Sequence, residues 1–283
     1  MSGMTTFAAR PPHPLLAEHV VLYIGHDRTS TEPTRRVLAA LGAVVVGIEA
    51  ESPVRLRIAG SPTPADVSPV SGLSSAPMGY EMVGREHGVL VELTPAGAHA
   101  LFGLPLRVLA GGSVGLADLL GPHRARRLAE RVAEAPDWEA AFDLLDRWLV
   151  AAVLDGPELD RRVRHAWQRL VTSAGRVRVD ALADEVGWSR QHLNARFGAQ
   201  VGLPPKTVGR IARCHRAIRM RITPGGRTWA DVAAACDYAD QPHLNRDFRA
   251  LTGLTPTELD TPSEELFLGG RLGVDLMARA APV

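Results

Sequence analysis

The sequence predicts an α+β protein whose N-terminal part is rich in β-strands and whose C-terminal part is helical. Short apolar and β-branched runs broken by Gly and Pro fill the first part, and such runs are typical of a barrel or sandwich. From Leu116 onward the apolar residues recur at helical spacing. The boundaries that we expect are 1–112 for the β-rich domain, 113–157 for a helical connector, 158–260 for an all-α domain and 261–283 for a C-terminal tail.

Six runs are the strand candidates of the β-rich domain. The tract Leu38–Leu41 is short enough to form a helical turn as well, so both interpretations stay open there. Thr94 followed by Pro95 predicts the N-cap and first residue of a short helix that ends at Phe102. The strand candidates are Val20–Ile24, Arg35–Leu38, Ala43–Ile48, Val54–Ile58, Tyr80–Val83 and Gly88–Leu93.

Two helices are expected in the connector. The first is Arg124–Ala135, and the second begins after its N-cap, Asp137. The second helix has an apolar face that either packs against the neighbouring domains or forms a dimer interface, and the two alternatives do not exclude each other. This face consists of Trp138, Phe142, Leu145, Leu149 and Val153.

A motif that occurs twice predicts the architecture of the all-α domain. The first copy extends from Ala181 to Pro205 and the second from Asp231 to Pro256. Each copy predicts a short helix, a tight turn and a second helix that ends before a Gly and a Pro. This is the layout of a helix-turn-helix, whose second helix enters the major groove of DNA. The matching pairs are Ala183 and Ala233, Gly187 and Asp237, Leu193 and Leu244, Phe197 and Phe248, Gly202 and Gly253, and Pro205 and Pro256.

The cap residues and the linker of the two copies can be assigned as well. Ser189 and Asp240 are the expected N-caps of the second helices, and Thr228 is the N-cap of the first helix of copy two. A linker helix of about 17 residues, Lys206–Ile222, joins the copies, and Thr223–Gly226 ends it. Such a linker lets two recognition helices reach successive major-groove segments about 34 Å apart.

The repeated residues have distinct structural roles. Ala183 and Ala233 are small, so two helices can cross closely at each of them. Gly187 stands where the backbone needs a positive φ, and Asp237 is one of the few other residues that tolerates it. The apolar residues four positions apart on each second helix are predicted to be core. These are Leu193 and Phe197 in copy one and Leu244 and Phe248 in copy two.

The opposite face of each second helix is the candidate DNA-binding surface. Arg, Gln and Asn pair with guanine and adenine edges, although a solvated helix face is also rich in them. The recurrence at matching positions favours base contact. On the linker helix, Arg213 is expected to form an internal ion pair instead. The candidates are Arg190, Gln191, Asn194, Arg196, Lys206, Arg210, Gln241, His243, Asn245 and Arg246.

The charge distribution supports a polyanionic partner for the helical domain. Residues 161–260 contain sixteen Arg and Lys206 against nine Asp and Glu, a net charge of +8, so the remainder carries −7 of the total of +1. A basic part joined to an acidic part indicates that only one of them contacts nucleic acid.

Between Arg161 and Leu259 the chain resembles the DNA-binding domain of the AraC/XylS family of transcriptional regulators. The resemblance rests on the matched positions above, on Arg213-x3-Ala217 in the linker helix and on the ending Gly253–Pro256. Val89–Gly121 is similar to the sensor domain of a subgroup of these regulators. The chain departs from the family pattern at Asp237, Tyr238, Leu244 and Ala195, and Ala195 makes the first recognition helix less discriminating.

This resemblance implies activation or repression of transcription and an N-terminal effector or dimerisation domain, usually a cupin-like barrel. It implies double-stranded promoter DNA and RNA polymerase as partners, with a small-molecule effector and a second copy of the chain as further candidates. No cofactor, no metal and no membrane partner is expected. No apolar run reaches the length of a membrane span and the N-terminus has no secretory signal, so the cytoplasm is the expected location.

The alternatives from other functional classes are an enzyme and a module that binds only other proteins. A metal-dependent cupin enzyme needs His-x-His, and the chain has none. Cys214-His215-Arg216 is like the tripeptide of DNA-repair methyl acceptors that carry an AraC-like module, but here it follows Arg213 inside the linker helix. Such a methyl acceptor, and a module that binds only other proteins through its repeats, are the two rivals. With Cys236 the chain has two cysteines, too few for a disulfide framework.

Overall fold

The structure, a computed structural model, describes residues 6–40, 42–50, 55–56, 65–66, 68–223, 225, 227–260 and 266–267. Of the expected strand Val54–Ile58, only Arg55–Leu56 lies within the described residues. Of the expected C-terminal tail, 261–283, only 266–267 lies within them. The rest of both segments lies outside them, as do Leu41, Pro224 and Gly226.

Strands dominate the N-terminal part and helices the remainder. The strands are β1 Thr6–Arg10, β2 Val20–Leu38, β3 Val44–Glu49, β4 Arg55–Leu56, β5 Ala65–Asp66, β6 Pro69–Ser71, β7 Met78–Leu93, β8 Ser113–Gly115 and β9 Leu266–Phe267. The helices are α1 Pro95–Phe102, α2 Leu116–Leu120, α3 Pro122–Ala133, α4 Trp138–Val153, α5 Arg161–Thr172, α6 Val179–Glu185, α7 Arg190–Val201, α8 Pro205–Ile222, α9 Trp229–Ala235, α10 Gln241–Thr252 and α11 Pro256–Leu259. Two 3-10 turns, Pro14–Leu16 and Leu106–Val108, complete the described elements.

The predicted α+β class is confirmed. The main sheet has the order β1-β2-β7-β3-β6-β8, all of it antiparallel, and β9 adds in parallel to β2. Strands β4 and β5 form a separate pair. Closure of this sheet into a cupin-like barrel stays a prediction, and so do the domain boundaries. Strand β8 belongs to the sheet although it lies in the segment expected to be connector.

Four of the short strands expected from the sequence belong to only two long strands, so the predicted boundaries were wrong there. Strand β2 contains both Val20–Ile24 and Arg35–Leu38, and β7 contains both Tyr80–Val83 and Gly88–Leu93. The two strands pair from Val20 to Leu38, with a register shift between Ser30 and Thr34. The expectation depended on apolar side chains, whereas the ladder is made of backbone hydrogen bonds and so continues through polar residues. Ala39 and Ala40 follow β2 without a helical turn.

The connector packs against one face of the sheet. The rings of Tyr23 and Phe142 stack with their centroids 5.7 Å apart, and the Tyr23 hydroxyl donates to Asp146 on the next turn of α4. Phe142, Leu145, Leu149 and Val153 are all buried inside the chain. The apolar face of α4 is therefore filled by the chain's own core, which favours the packing interpretation over the dimer interface.

The helix boundaries follow local capping chemistry. Thr94, Asp137, Ser189, Thr228 and Asp240 are all N-caps, and each side chain accepts a hydrogen bond from a backbone N–H in the first helical turn. Helix α3, expected over Arg124–Ala135, is found over Pro122–Ala133, and the linker helix α8 begins at Pro205, one residue before the expected Lys206. A proline is well suited to the first helical position because its missing N–H has no partner there anyway.

Candidate nucleic-acid interface

The first helix-turn-helix is formed by α6 and α7. Gly187 between them has φ 67°, the positive value that the sequence predicts, and the Trp188 amide then donates to the Ala183 carbonyl over 2.9 Å. Leu193 and Phe197 are both fully enclosed, so α7 is fixed by its apolar face. This arrangement turns the other face of α7 toward solvent.

The second helix-turn-helix, α9 and α10, repeats this geometry with different residues. Asp237 has φ 58°, and the Tyr238 amide donates to the Ala233 carbonyl over 3.0 Å. Leu244 and Phe248 are buried as their counterparts are, and Trp229 packs edge-on against Phe248. An aspartate thus adopts the backbone conformation that glycine adopts in the first repeat.

On recognition helix α7, Arg190, Gln191 and Arg196 are exposed and Asn194 is half-buried. Arg190 pairs with Asp180 at 3.4 Å and Arg196 with Asp160 at 3.5 Å. Both arginines are more than half exposed, and such ion pairs contribute little to stability. These guanidinium groups can therefore exchange their carboxylate partners for other anions at small cost.

On recognition helix α10, Gln241, Asn245 and Arg246 are exposed. His243 is half-buried, and its ring packs edge-on against Tyr238 with centroids 5.2 Å apart. Its backbone N–H also donates a hydrogen bond to Oδ1 of the N-cap residue Asp240. His243 therefore supports the start of α10, whereas the other three side chains extend into solvent.

On the linker helix α8, the internal ion pair is made by a different arginine from the one that the sequence predicts. The internal ion pair belongs to Arg210, whose guanidinium contacts the buried Asp247 carboxylate at 2.7 Å. The hydrogen bonds that Arg210 donates to the Asp247 carboxylate raise the pKa of Arg210. Arg213, expected to form that pair, lies one turn further along, over the Tyr238 ring at 5.3 Å. Lys206 is exposed at the first turn.

Sequence reasoning did not assign Asp247 to the core, because an aspartate is rarely buried without a charged partner. The pair it forms links α8 to α10, so it fixes the second recognition helix to the linker. Asp247 nevertheless lies three residues after Leu244 and four before Leu251, so the helical period places it on the buried face. Only the crossing of the two helices brings it beside Arg210.

The N-terminal sheet contacts the C-terminal ends of both recognition helices. The Ala40 amide donates to the Leu251 carbonyl in α10, and His215 Nε2 lies 3.2 Å from the Ala40 carbonyl oxygen. At α7, a Cβ added to Gly202 would lie 3.0 Å from the Leu106 carbonyl oxygen. Most buried apolar residues of the sheet, the connector and the repeats form one continuous cluster, and a second cluster in the sheet consists of Leu22, Ile24, Leu38 and Val45.

The two cysteines considered as reactive groups are buried, and the described residues contain no cluster of candidate metal ligands. Cys214 is 1% exposed, and burial raises the pKa of its thiol to about 12. Cys236 is buried as well, with its Sγ 3.4 Å from Met220 Sδ. Within the described ranges, no three His, Cys, Asp or Glu side chains are grouped so as to hold a metal ion. No helix of this part of the chain is long and apolar enough to cross a membrane.

Comparison with known proteins identifies the helical part. Residues 182–261 match the family model of the helix-turn-helix domain. No curated protein matches the chain. Both turns and both recognition helices lie within the matched residues.

Several solved structures are similar to the chain. One is a transcriptional regulator of the AraC-type DNA-binding class from Chromobacterium violaceum, with 22% identity over 34% of this chain and 87% of that chain and a TM-score of 0.32. A second is a DNA-binding transcriptional dual regulator from Escherichia coli K-12, with 23% identity, coverage of 37% and 90% and a TM-score of 0.30. A third is ToxT from Vibrio cholerae, with 11% identity, coverage of 91% and 97% and a TM-score of 0.49.

Proposed function

We propose that this chain is a DNA-binding transcription regulator of the AraC type, that it binds promoter DNA at a specific sequence and that its N-terminal part adjusts this binding in response to an effector. One observation supports the proposal above others. Two helix-turn-helix units of matching geometry each bury an apolar face and expose Gln, Asn and Arg side chains on a recognition helix.

The proposed base contacts come from the exposed faces of α7 and α10. Arg246 is suited to guanine, because its guanidinium matches the two acceptors on the major-groove edge. Gln191 and Asn245 are suited to adenine, because a carboxamide supplies the donor and the acceptor that match the acceptor and donor on the adenine edge. Lys206, at the exposed start of α8, is proposed to contact phosphate, which fixes position on the duplex without reading sequence.

Coupling to the N-terminal part is proposed from its contacts with the repeats. Ala40, just beyond the end of β2, is hydrogen-bonded to α10, and the turn Leu106–Val108 lies against the end of α7. A change in the sheet therefore has a direct route to both recognition helices. RNA polymerase, a small-molecule effector and a second copy of the chain are the further partners that we propose.

Selection of bound fragments from random duplex DNA with the purified full chain tests the proposal. We expect one enriched sequence and affinity that falls with salt concentration. Arg246→Ala should cost about 1–3 kcal/mol at that sequence and relax specificity at one base. Lys206→Ala should weaken all sequences alike and lower the salt slope by about one ion.

Arg127→Ala is the matched control, since it removes the same charge from an exposed position of α3. Equal losses for Arg246→Ala on selected and random DNA would remove the base-reading role of Arg246. If the full chain shows no salt-dependent association with any duplex, the repeats are a protein-interaction module instead.

A further inference from the structure

A cleft of about 520 Å³ lies between the end of α5 and the second half of α8. Its walls come from the residues that end α5 and from the side chains of Arg176, Arg216 and Arg219. Val171, which is 41% exposed, adds an apolar patch to the wall. The volume lies in the range of small-molecule sites.

The local backbone explains why the cleft is there. After α5 the chain turns through Ala174 and Gly175, which have φ 51° and 73°. Gly175 lies directly against Gly209 of α8, and a Cβ on Gly175 would collide with the Gly209 carbonyl oxygen. This contact brings the turn onto the first half of α8. The cleft opens beside the second half, where Arg216 and Arg219 stand.

The charges around the cleft are unbalanced. Three guanidinium groups line the cleft, and two of them, those of Arg176 and Arg216, are close to one carboxylate, that of Asp237 in the turn of the second repeat. Asp237 Oδ2 is 3.3 Å from Arg176 Nε and 3.7 Å from Arg216 Nη1. Arg219 is exposed at the rim. The net charge of these four side chains is therefore positive, and one carboxylate is shared by two arginines.

The Nη1 donor of Arg216 has no hydrogen-bond partner within the described part of the chain. Its Nη1 is shielded from solvent, and its distance to Asp237 is too long for a hydrogen bond. A buried guanidinium nitrogen gains from a charged acceptor more than from a neutral one. The fork of the guanidinium group matches the oxygens of a phosphate group.

We propose that this cleft binds a phosphate group, held by Arg176, Arg216 and Arg219, in partial exchange for Asp237. The phosphate belongs either to a free phosphorylated small molecule or to a DNA backbone, because both present the same oxygens. A test with a free anion does not depend on the proposed function, because a free anion can bind without any duplex.

Calorimetric titration of the full chain with pyrophosphate tests the site. Arg219→Gln should weaken the affinity at least about fivefold, because it removes one charged donor from an exposed position and leaves the fold intact. Asp237→Asn should strengthen it about threefold, because the competing carboxylate is gone and asparagine tolerates the same positive φ.

The controls change the same charges outside the cleft. Arg127→Gln and Asp155→Asn are both exposed positions, and neither should alter the affinity for pyrophosphate. The proposal is overturned if the unaltered chain binds no pyrophosphate, or if Arg219→Gln and Asp237→Asn behave as their controls do.

Competition with duplex DNA identifies the source of the phosphate. If duplex displaces pyrophosphate, the cleft holds a backbone phosphate, and if both bind together it holds a free ligand. Both outcomes are consistent with a phosphate-binding site in this cleft. Arg246→Ala should leave pyrophosphate binding unchanged, so failure of the DNA-binding proposal and failure of the cleft are distinguished.

Discussion

The backbone amide of Ala40 donates a hydrogen bond of 2.6 Å to the carbonyl oxygen of Leu251. This bond joins the residue just beyond β2 to the last turn of the second recognition helix. The carbonyl of the same alanine accepts from His215 on the linker helix. One residue of the N-terminal part is thus bonded to two helices of the DNA-binding part.

The His215 contact predicts a dependence of stability on pH. Burial lowers the pKa of His215 to about 4, with a smaller lowering effect from Arg219. In the unfolded chain this imidazole titrates near 6.5, so between pH 6.5 and 4 the unfolded state binds more protons. The free energy of unfolding should therefore fall as the pH falls through this window.

His215→Gln should reduce this dependence, because glutamine keeps a donor for the Ala40 carbonyl and does not titrate. Urea denaturation at pH 7 and pH 4.5 measures it. Equal losses of stability in both chains on acidification would show that His215 is not held neutral by the fold.

The pair between Arg210 and Asp247 predicts a large effect from breaking it on one side. Asp247→Ala should lower the free energy of unfolding by about 2–4 kcal/mol, because the partly buried Arg210 loses its partner. Replacing both residues, Arg210→Met with Asp247→Leu, should cost less than the single change. Arg249→Ala, an exposed change in the same helix, should stay within about 0.5 kcal/mol. A single variant as stable as this control would contradict the role of the pair.

The positive φ of Gly187 predicts a backbone cost for any side chain there. Gly187→Ala should destabilise the chain by about 1 kcal/mol, although no atom lies within 4 Å of the added Cβ. Gly198→Ala also places its Cβ in open space, but within helix α7, and should stabilise by about 0.5–1 kcal/mol. Thermal unfolding of both variants gives the comparison. Opposite signs are expected, and equal signs would exclude the conformational explanation.

The burial of Cys214 predicts an unreactive thiol. Neither Cys214 nor Cys236 should react with a thiol reagent in the folded chain at neutral pH, and both should react in guanidinium chloride. Mass spectrometry after incubation with alkylated DNA should find no added methyl group. A methylated Cys214 would instead support the repair alternative.

The sequence by itself determined the helical repeats and their caps. Ser189, Thr228 and Asp240 cap the helices that were expected of them, and Gly187 and Asp237 have the expected backbone conformation. These features depend on residues close in the chain, because a cap bonds to its own first turn and a positive φ restricts its own side chain. Local sequence therefore suffices to predict them.

Only the tertiary structure decided which polar groups meet across elements. It pairs Arg210 rather than Arg213 with Asp247, continues β2 through polar residues and joins Ala40 to Leu251. Each of these contacts depends on where two distant segments cross. A shift of one helical turn exchanges one arginine for another, and backbone hydrogen bonds between strands or segments do not depend on side-chain polarity. The pattern of residues along the chain specifies neither the point at which two segments cross nor the backbone hydrogen bonds between them.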